Sequence, residues 1–266
     1  MSANSPDWLQ NSTHPLYTTV TRIRFPHEEG HATGFFYNSG EQTYLVTNRH
    51  VLNWGEKDSP DSMRIFTREL KNLGERQFHD IDLSKGDGSN WYSHPHGSAI
   101  DVVVIPLDFK LDSINPRIGI SNERPSETGS LAFNNESILS QKERVLAGDR
   151  SQVIGYPGQY IDQNSDFPVT RNAIISTQYG MPYNGNPIFL TDARMHPGTS
   201  GSPVLAGPVT LINYNGIDLW GPAYKLLGVH SATLRQIDVN NENHWLDLNT
   251  AWYAELIEET IQHHDE

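Results

Sequence analysis

The sequence predicts an all-β fold, a sandwich or a pair of barrels, and three observations carry that prediction. Its 21 glycines and 16 prolines punctuate the 266 residues every several positions. Between them lie short runs rich in Val, Ile, Thr, Tyr and Phe, residues that suit a pleated, half-buried surface. Helical periodicity appears only once, near the C-terminal end. Many short strands between turns mark sandwiches and barrels rather than alternating βα units.

In chain order, strands are read at 17–25, 34–37, 44–47, 64–67, 101–107, 152–155, 173–178, 188–191, 203–205 and 226–232. Residues 54–98 are polar, include Lys85-Gly86-Asp87-Gly88-Ser89, and read as long loops and a hairpin; residues 121–150 look similar. Connections of this kind often carry recognition in a β scaffold. Over 248–261 the apolar residues Leu248, Trp252, Leu256, Ile257 and Ile261 fall on one face of a helix, with Asn249 or Asp247 as its cap.

A chain of 30.0 kDa with 36% hydrophobic and 19% charged residues has the composition of a globular protein. Its net charge of −13 repels phosphate backbones and anionic lipid, and the basic residues are scattered singly, so neither nucleic acid nor membrane is an expected partner. No apolar run approaches the roughly 20 residues of a membrane-spanning helix. Residues 1–11 are polar and lack the pattern of a secretory signal. The absence of cysteine removes disulfides, thiol nucleophiles and cysteine-held metals together. A cytoplasmic location is the expectation.

Three segments stand apart. Gly34-Phe35-Phe36-Tyr37 and Tyr44-Leu45-Val46 lead into Thr47-Asn48-Arg49-His50-Val51. Asp101 opens the apolar strand Val102-Val103-Val104-Ile105. His196-Pro197-Gly198-Thr199-Ser200-Gly201-Ser202-Pro203 is a glycine-rich turn holding a serine. A serine hydroxyl is a poor nucleophile until a base takes its proton, and histidine is the base suited to neutral pH. A carboxylate beside it fixes the imidazole tautomer. The glycines around Ser200 permit a tight turn that aims amides at one point. An acid at the mouth of an apolar strand needs a partner if it is buried.

In this order and spacing, 51 residues from His50 to Asp101 and 99 from Asp101 to Ser200, the chain resembles the trypsin-like, chymotrypsin-fold serine peptidases, specifically their bacterial, disulfide-free branch. Thr47-Asn48-Arg49-His50-Val51 and Gly198-Thr199-Ser200-Gly201-Ser202-Pro203 match the family's histidine and serine segments, and Leu227-Gly228-Val229-His230-Ser231-Ala232 is similar to its cleft-lining strand. The resemblance implies two six-stranded antiparallel β-barrels with a C-terminal helix. It divides the chain into an N-terminal extension (1–16), a protease domain (17–262, barrels meeting at roughly 110–150) and a tail (263–266).

It also implies roles. His50 is base and then acid, Asp101 orients it, Ser200 is the nucleophile, and the Gly198 and Ser200 amides form the oxyanion hole. No cofactor or metal is implied, and the partner is a protein or peptide substrate. Thr199 departs from the family's usual Asp, so activation through an ion pair with a new N-terminus is not expected. Any activation would come from a partner protein or from loop ordering. Glutamyl endopeptidases of this fold carry histidine at the place of His230. With Thr233 and the cation Arg194, six residues before Ser200, this implies cleavage after Glu, Gln or Asp. A catalytically silent peptide-binding module and an esterase are the competing readings. Other histidines, His27 with His31, His94 with His96, and His263 with His264, are not read as a zinc site, because the chain has no cysteine and no His-Glu-x-x-His helix. Gly155-Tyr156-Pro157-Gly158 is read as a turn between strands rather than a phosphate loop.

Overall fold

The computed structural model describes residues 14–26, 29–53, 60–85, 88–114, 128–139, 144–158, 161–209, 212–214, 217–219, 223–237 and 243–265. The first lobe contains β1 (Val20–Arg24), β2 (His31–Ser39), β3 (Gln42–Thr47), helix α1 (Arg49–Leu52), β4 (Ser62–Glu69), β5 (Asn72–Asp82), β6 (Ser84–Lys85), β7 (Gly88–Ser89), β8 (Tyr92–Ser93), β9 (Val103–Pro106), β10 (Asp112–Ser113) and β11 (Leu131–Asn134). The second contains β12 (Arg150–Gly155), β13 (Val169–Ile175), β14 (Ile188–Asp192), β15 (Pro203–Val209), β16 (Ile212–Tyr214), β17 (Ile217–Leu219), β18 (Ala223–Ile237) and β19 (Asn243–Tyr253), followed by helix α2 (Glu255–Asp265).

The second lobe closes as a six-stranded barrel in the order β12-β13-β14-β19-β18-β15. The first is a nine-stranded sheet along β5-β4-β1-β2-β3-β9-β8, with β11 parallel to the end of β2 and β10 parallel to β11. It therefore has more strands than the six expected, and two of its pairings are parallel. The whole is a chymotrypsin-like fold, mostly strand with one C-terminal helix.

Several strands are apolar on both faces, and the packing explains why. Side chains alternate between the faces of a strand. Phe36, Leu45, Val103 and Ile105 fill the first lobe, while their neighbours Phe35, Tyr37, Val46 and Val104 face a second layer. In the second barrel Val204 and Leu227 point inward, and Leu205, Leu226 and Val229 join that same layer. Leu256, Ile257 and Ile261 of α2 complete it. The layer between the lobes is thus as apolar as either interior.

The helix expected over 248–261 is corrected. Residues 248–253 are strand, paired with β14 (Thr191↔Asn249) and β18 (Val229↔Trp252), and the helix begins at Glu255. A spacing of four residues keeps a face in a strand as well as in a helix, so Leu248 and Trp252 fit both. Closing the barrel decides the matter. Neither proposed cap acts as one: Asp247 has φ 54°, and the Asn249 amide donates to the Ala193 carbonyl at 2.6 Å. The tail at 263–265 continues α2, with His264 stacked on Tyr92. At the other end, Leu16 is already core. The remainder of the expected extension lies largely outside the described residues, as do His27, Gly86 and Asp87.

Three arginines of the first lobe grip a loop of the second. Asp166, between β12 and β13, is fully buried and takes Arg22 at 2.5 Å and Arg76 at 2.8 Å on one carboxylate oxygen. Arg68, 1% exposed, donates to the carbonyls of Ser165 and Asp166 and lies 3.9 Å from the Phe167 ring centroid. Removing one partner of a buried ion pair leaves the other charge uncompensated. Asp166→Ala is therefore expected to cost about 3–5 kcal/mol of unfolding free energy, measured by urea denaturation; an unchanged midpoint would show that this loop does not clamp the lobes.

Candidate active site

The end of β3 and the start of β9 are paired, Thr47 opposite Val103, so the residues just beyond them meet at one end of the first lobe. Asn48 leaves β3 extended, and His50 sits on the single turn of α1. Asp101 follows a 3₁₀ turn at Gly97–Ala99 and precedes β9. The Nδ1–H of His50 donates to Asp101 Oδ2 at 2.7 Å, and the His50 backbone amide donates to Oδ1 at 2.9 Å. The Asn48 side-chain amide holds the Asp101 carbonyl at 2.8 Å. With its Nδ1 proton committed to the carboxylate, the imidazole keeps Nε2 as a bare acceptor. His50 is 48% exposed and Asp101 21%, so the pair lies at the wall of an open cleft.

The second barrel supplies the other half. Ser200 lies on the turn between β14 and β15, and β15 pairs with β18 (Pro203↔Val229), which brings 230–231 beside it. The Ser231 hydroxyl donates to Asp101 Oδ2 at 2.6 Å across the cleft. The Ser200 hydroxyl donates to the Ser231 carbonyl at 3.1 Å. The structure therefore joins His50 and Asp101 directly and brings Ser200 to them through Ser231, without a Ser200–His50 hydrogen bond. One rotamer step at Ser200 redirects the hydroxyl, and such bonds commonly form only when substrate is bound.

The turn needs its glycines. Gly198 has φ 94°, and a Cβ there would lie 2.5 Å from both His31 Nε2 and the Tyr156 carbonyl. Gly201 has φ 85°, and a Cβ would lie 2.1 Å from the Thr33 carbonyl. Among the described residues no hydrogen bond uses the amides of Gly198 or Ser200. Two free amides on one turn suit a developing oxyanion.

The residues expected to line the substrate pocket make separate contacts. His230 is 2% exposed on β18. Its Nε2 contacts Thr199 Oγ1 at 3.2 Å. The Thr199 hydroxyl spends its proton on the His196 carbonyl at 2.7 Å, so the imidazole must donate through Nε2, and its buried Nδ1 has no partner. Burial, and secondarily His50, push the His230 pKa down to about 4. Thr233 donates to Asn249 Oδ1 at 2.7 Å, leaving its lone pairs. Arg194 is exposed, and its carbonyl accepts from Arg171. Of the remaining histidines, His31 binds the Tyr156 carbonyl and His94 binds Glu259. Sequence reading missed the site roles of Ser231, Asn48 and Thr33; Asn48 and Ser231 at least adjoin residues it had singled out.

The family profile of the trypsin-like peptidase domain matches residues 32–208. Among curated proteins no sequence matches. Solved structures similar in fold include the HtrA-type protease AlgW with tripeptide, at 17% identity and TM-score 0.54 over 97% of this chain and 63% of that one. Another is Deg5, at 16% identity and TM-score 0.52 over 97% and 95%. A third is an inactive Ser343Ala mutant of Rv3671c from M. tuberculosis H37Rv, at 15% identity and TM-score 0.47 over 98% and 94%.

The buried imidazole links stability to pH. Unfolded, His230 binds a proton near its ordinary 6.5; folded, it does so only near 4. Between those values the unfolded chain holds more protons, so stability falls as pH drops through the window, by on the order of 3 kcal/mol. Unfolding free energies at pH 7 and pH 4 are expected to differ less in His230→Gln than in the wild type. Equal differences would place the acid-sensitive group elsewhere.

Proposed function

The chain belongs to the trypsin-like peptidase family and is a serine endopeptidase, and we propose that His50, Asp101 and Ser200 are its catalytic triad. The observation that carries this reading is the Asp101 carboxylate, which accepts from His50 Nδ1 in its own lobe and from Ser231 in the other. Ser200 turns from the Ser231 carbonyl to His50 Nε2, gives up its proton there and attacks the scissile carbonyl. The amides of Gly198 and Ser200 receive the oxyanion. The imidazolium, steadied by Asp101, passes its proton to the leaving amine as the peptide bond breaks. Water then enters, His50 takes its proton, and the ester to Ser200 is cleaved.

For specificity the same reading assigns His230, Thr233 and Arg194 to substrate selection, with cleavage after Gln, Glu or Asp. Two features support it. The Nδ1 of His230 is a neutral, unpartnered acceptor, and the lone pairs of Thr233 are likewise acceptors, so an N–H-bearing side chain suits both. Arg194 is an exposed cation six residues before Ser200 in the chain, a charge that disfavours Lys and Arg and attracts acidic side chains. A site built to hydrogen-bond a polar side chain rejects analogues lacking it by about 10⁴-fold.

Two measurements test the proposal. Ser200→Ala and His50→Ala are each expected to lower peptide turnover on the order of 10⁶-fold while remaining folded; near-normal hydrolysis by either rules out the triad. Cleavage of a peptide library should favour Gln, Glu and Asp before the cut and lose that preference in His230→Ala. A profile dominated by Lys, Arg or large apolar residues contradicts the specificity while leaving the triad standing.

A further inference from the structure

We propose that Thr33, on β2 of the first lobe, is a positioning residue that holds the Pro197–Gly198 peptide with its N–H free for the oxyanion. The proposal rests on the reading of Ser200 as nucleophile. Thr33 is fully buried and makes four hydrogen bonds at the back of the serine turn. Its hydroxyl donates to the Gly198 carbonyl at 2.7 Å and accepts from the Tyr156 amide at 3.1 Å. Its own amide donates to the Ser200 carbonyl at 3.0 Å, and its carbonyl accepts from Thr47 at 2.9 Å. One first-lobe residue thus fixes the carbonyls of both residues whose amides are free.

The effect reaches the critical peptide through a second contact. In a trans peptide the N–H and C=O point in opposite directions. The Pro197 carbonyl accepts from the Gly158 amide at 2.6 Å, which turns the Gly198 N–H to the opposite side. Gly158 is two residues beyond Tyr156, and Tyr156 is gripped twice by β2: its amide by the Thr33 hydroxyl and its carbonyl by His31 Nε2 at 2.8 Å. The Ser200 amide is set in the same way, because the Thr199 carbonyl on its peptide accepts from Ser202 at 3.0 Å. Of these locks only the one at Gly158 depends on a side chain of the other lobe. Losing the Thr33 hydroxyl leaves Tyr156 held on the β2 side by His31 alone and releases the Gly198 carbonyl, and the Pro197–Gly198 peptide can then rotate out of register.

The test uses the full chain as wild type, Thr33→Val, Thr33→Ala, Thr33→Ser and Ser200→Ala, with a cleaved peptide and the aldehyde of the same peptide. The aldehyde forms a hemiacetal with the serine and so needs the oxyanion amides, whereas ground-state binding of the peptide does not. Thr33→Val and Thr33→Ala are expected to lower kcat about 100-fold with KM little changed, as for displaced or lost oxyanion donors. They should weaken the aldehyde by the same factor, and Thr33→Ser should restore both. Thr33→Ala carries the same test without the bulk of valine. Normal kcat in a folded Thr33→Val or Thr33→Ala, a loss confined to KM, or a Thr33→Ser as slow as Thr33→Val overturns the proposal. Hydrolysis by Ser200→Ala at the wild-type rate overturns the underlying reading as well, and is distinct from a fast Thr33→Val beside an inert Ser200→Ala.

Discussion

The site depends on the seam between the lobes, and Asp101 is where a charge of that seam meets the proposed triad. Its carboxylate accepts the Nδ1–H and amide of His50 from one lobe and the Ser231 hydroxyl from the other. Hydrogen bonds to an ionised acceptor are roughly twice as strong as neutral ones, so this group both orients the imidazole and ties the lobes together beside the proposed nucleophile. Behind it stand an apolar layer shared by both lobes and the arginine grip on Asp166. Both hold together the two lobes that supply Asp101 and Ser231.

The serine turn shows the same dependence. Its glycines are required because atoms of both lobes press against it: a Cβ on Gly201 would meet Thr33 and Thr47, and one on Gly198 would meet His31 and the Tyr156 carbonyl. The turn is therefore shaped against β2 rather than by its own sequence alone. Beneath this turn Thr199 stands where many relatives of this fold keep an acid, and its hydroxyl is spent on His196 and the neutral His230.

Much of this was legible in the sequence, and the rest was not, for physical reasons. Runs such as Val102–Ile105 announce strands because both faces are buried, and the histidine and serine segments are local signals. The extent of the edge strand β5 within the expected loops and hairpin of 54–98 is hidden in the sequence, because ten of its eleven side chains are exposed or only part-buried and no apolar pattern marks them. The start of the C-terminal helix was misplaced because Leu248 and Trp252 fit either period, and only pairing with β14 and β18 decides. Ser231 lies in the segment likened to the cleft-lining strand, but its partner and that of Thr33 are hidden in the sequence because they lie 130 and 165 positions away. A hydroxyl gives no hint in sequence of which distant carbonyl or carboxylate it meets.

The central claim, that groups from two lobes make one nucleophile, is tested most directly by the rate and place of fluorophosphonate labelling, with the adduct located by mass spectrometry. The account predicts a single adduct on Ser200 in the wild type, and labelling of Asp101→Asn slowed by about 10⁴-fold because the imidazole then holds the wrong tautomer. An adduct on another residue, or Asp101→Asn labelled as fast as the wild type, would contradict it.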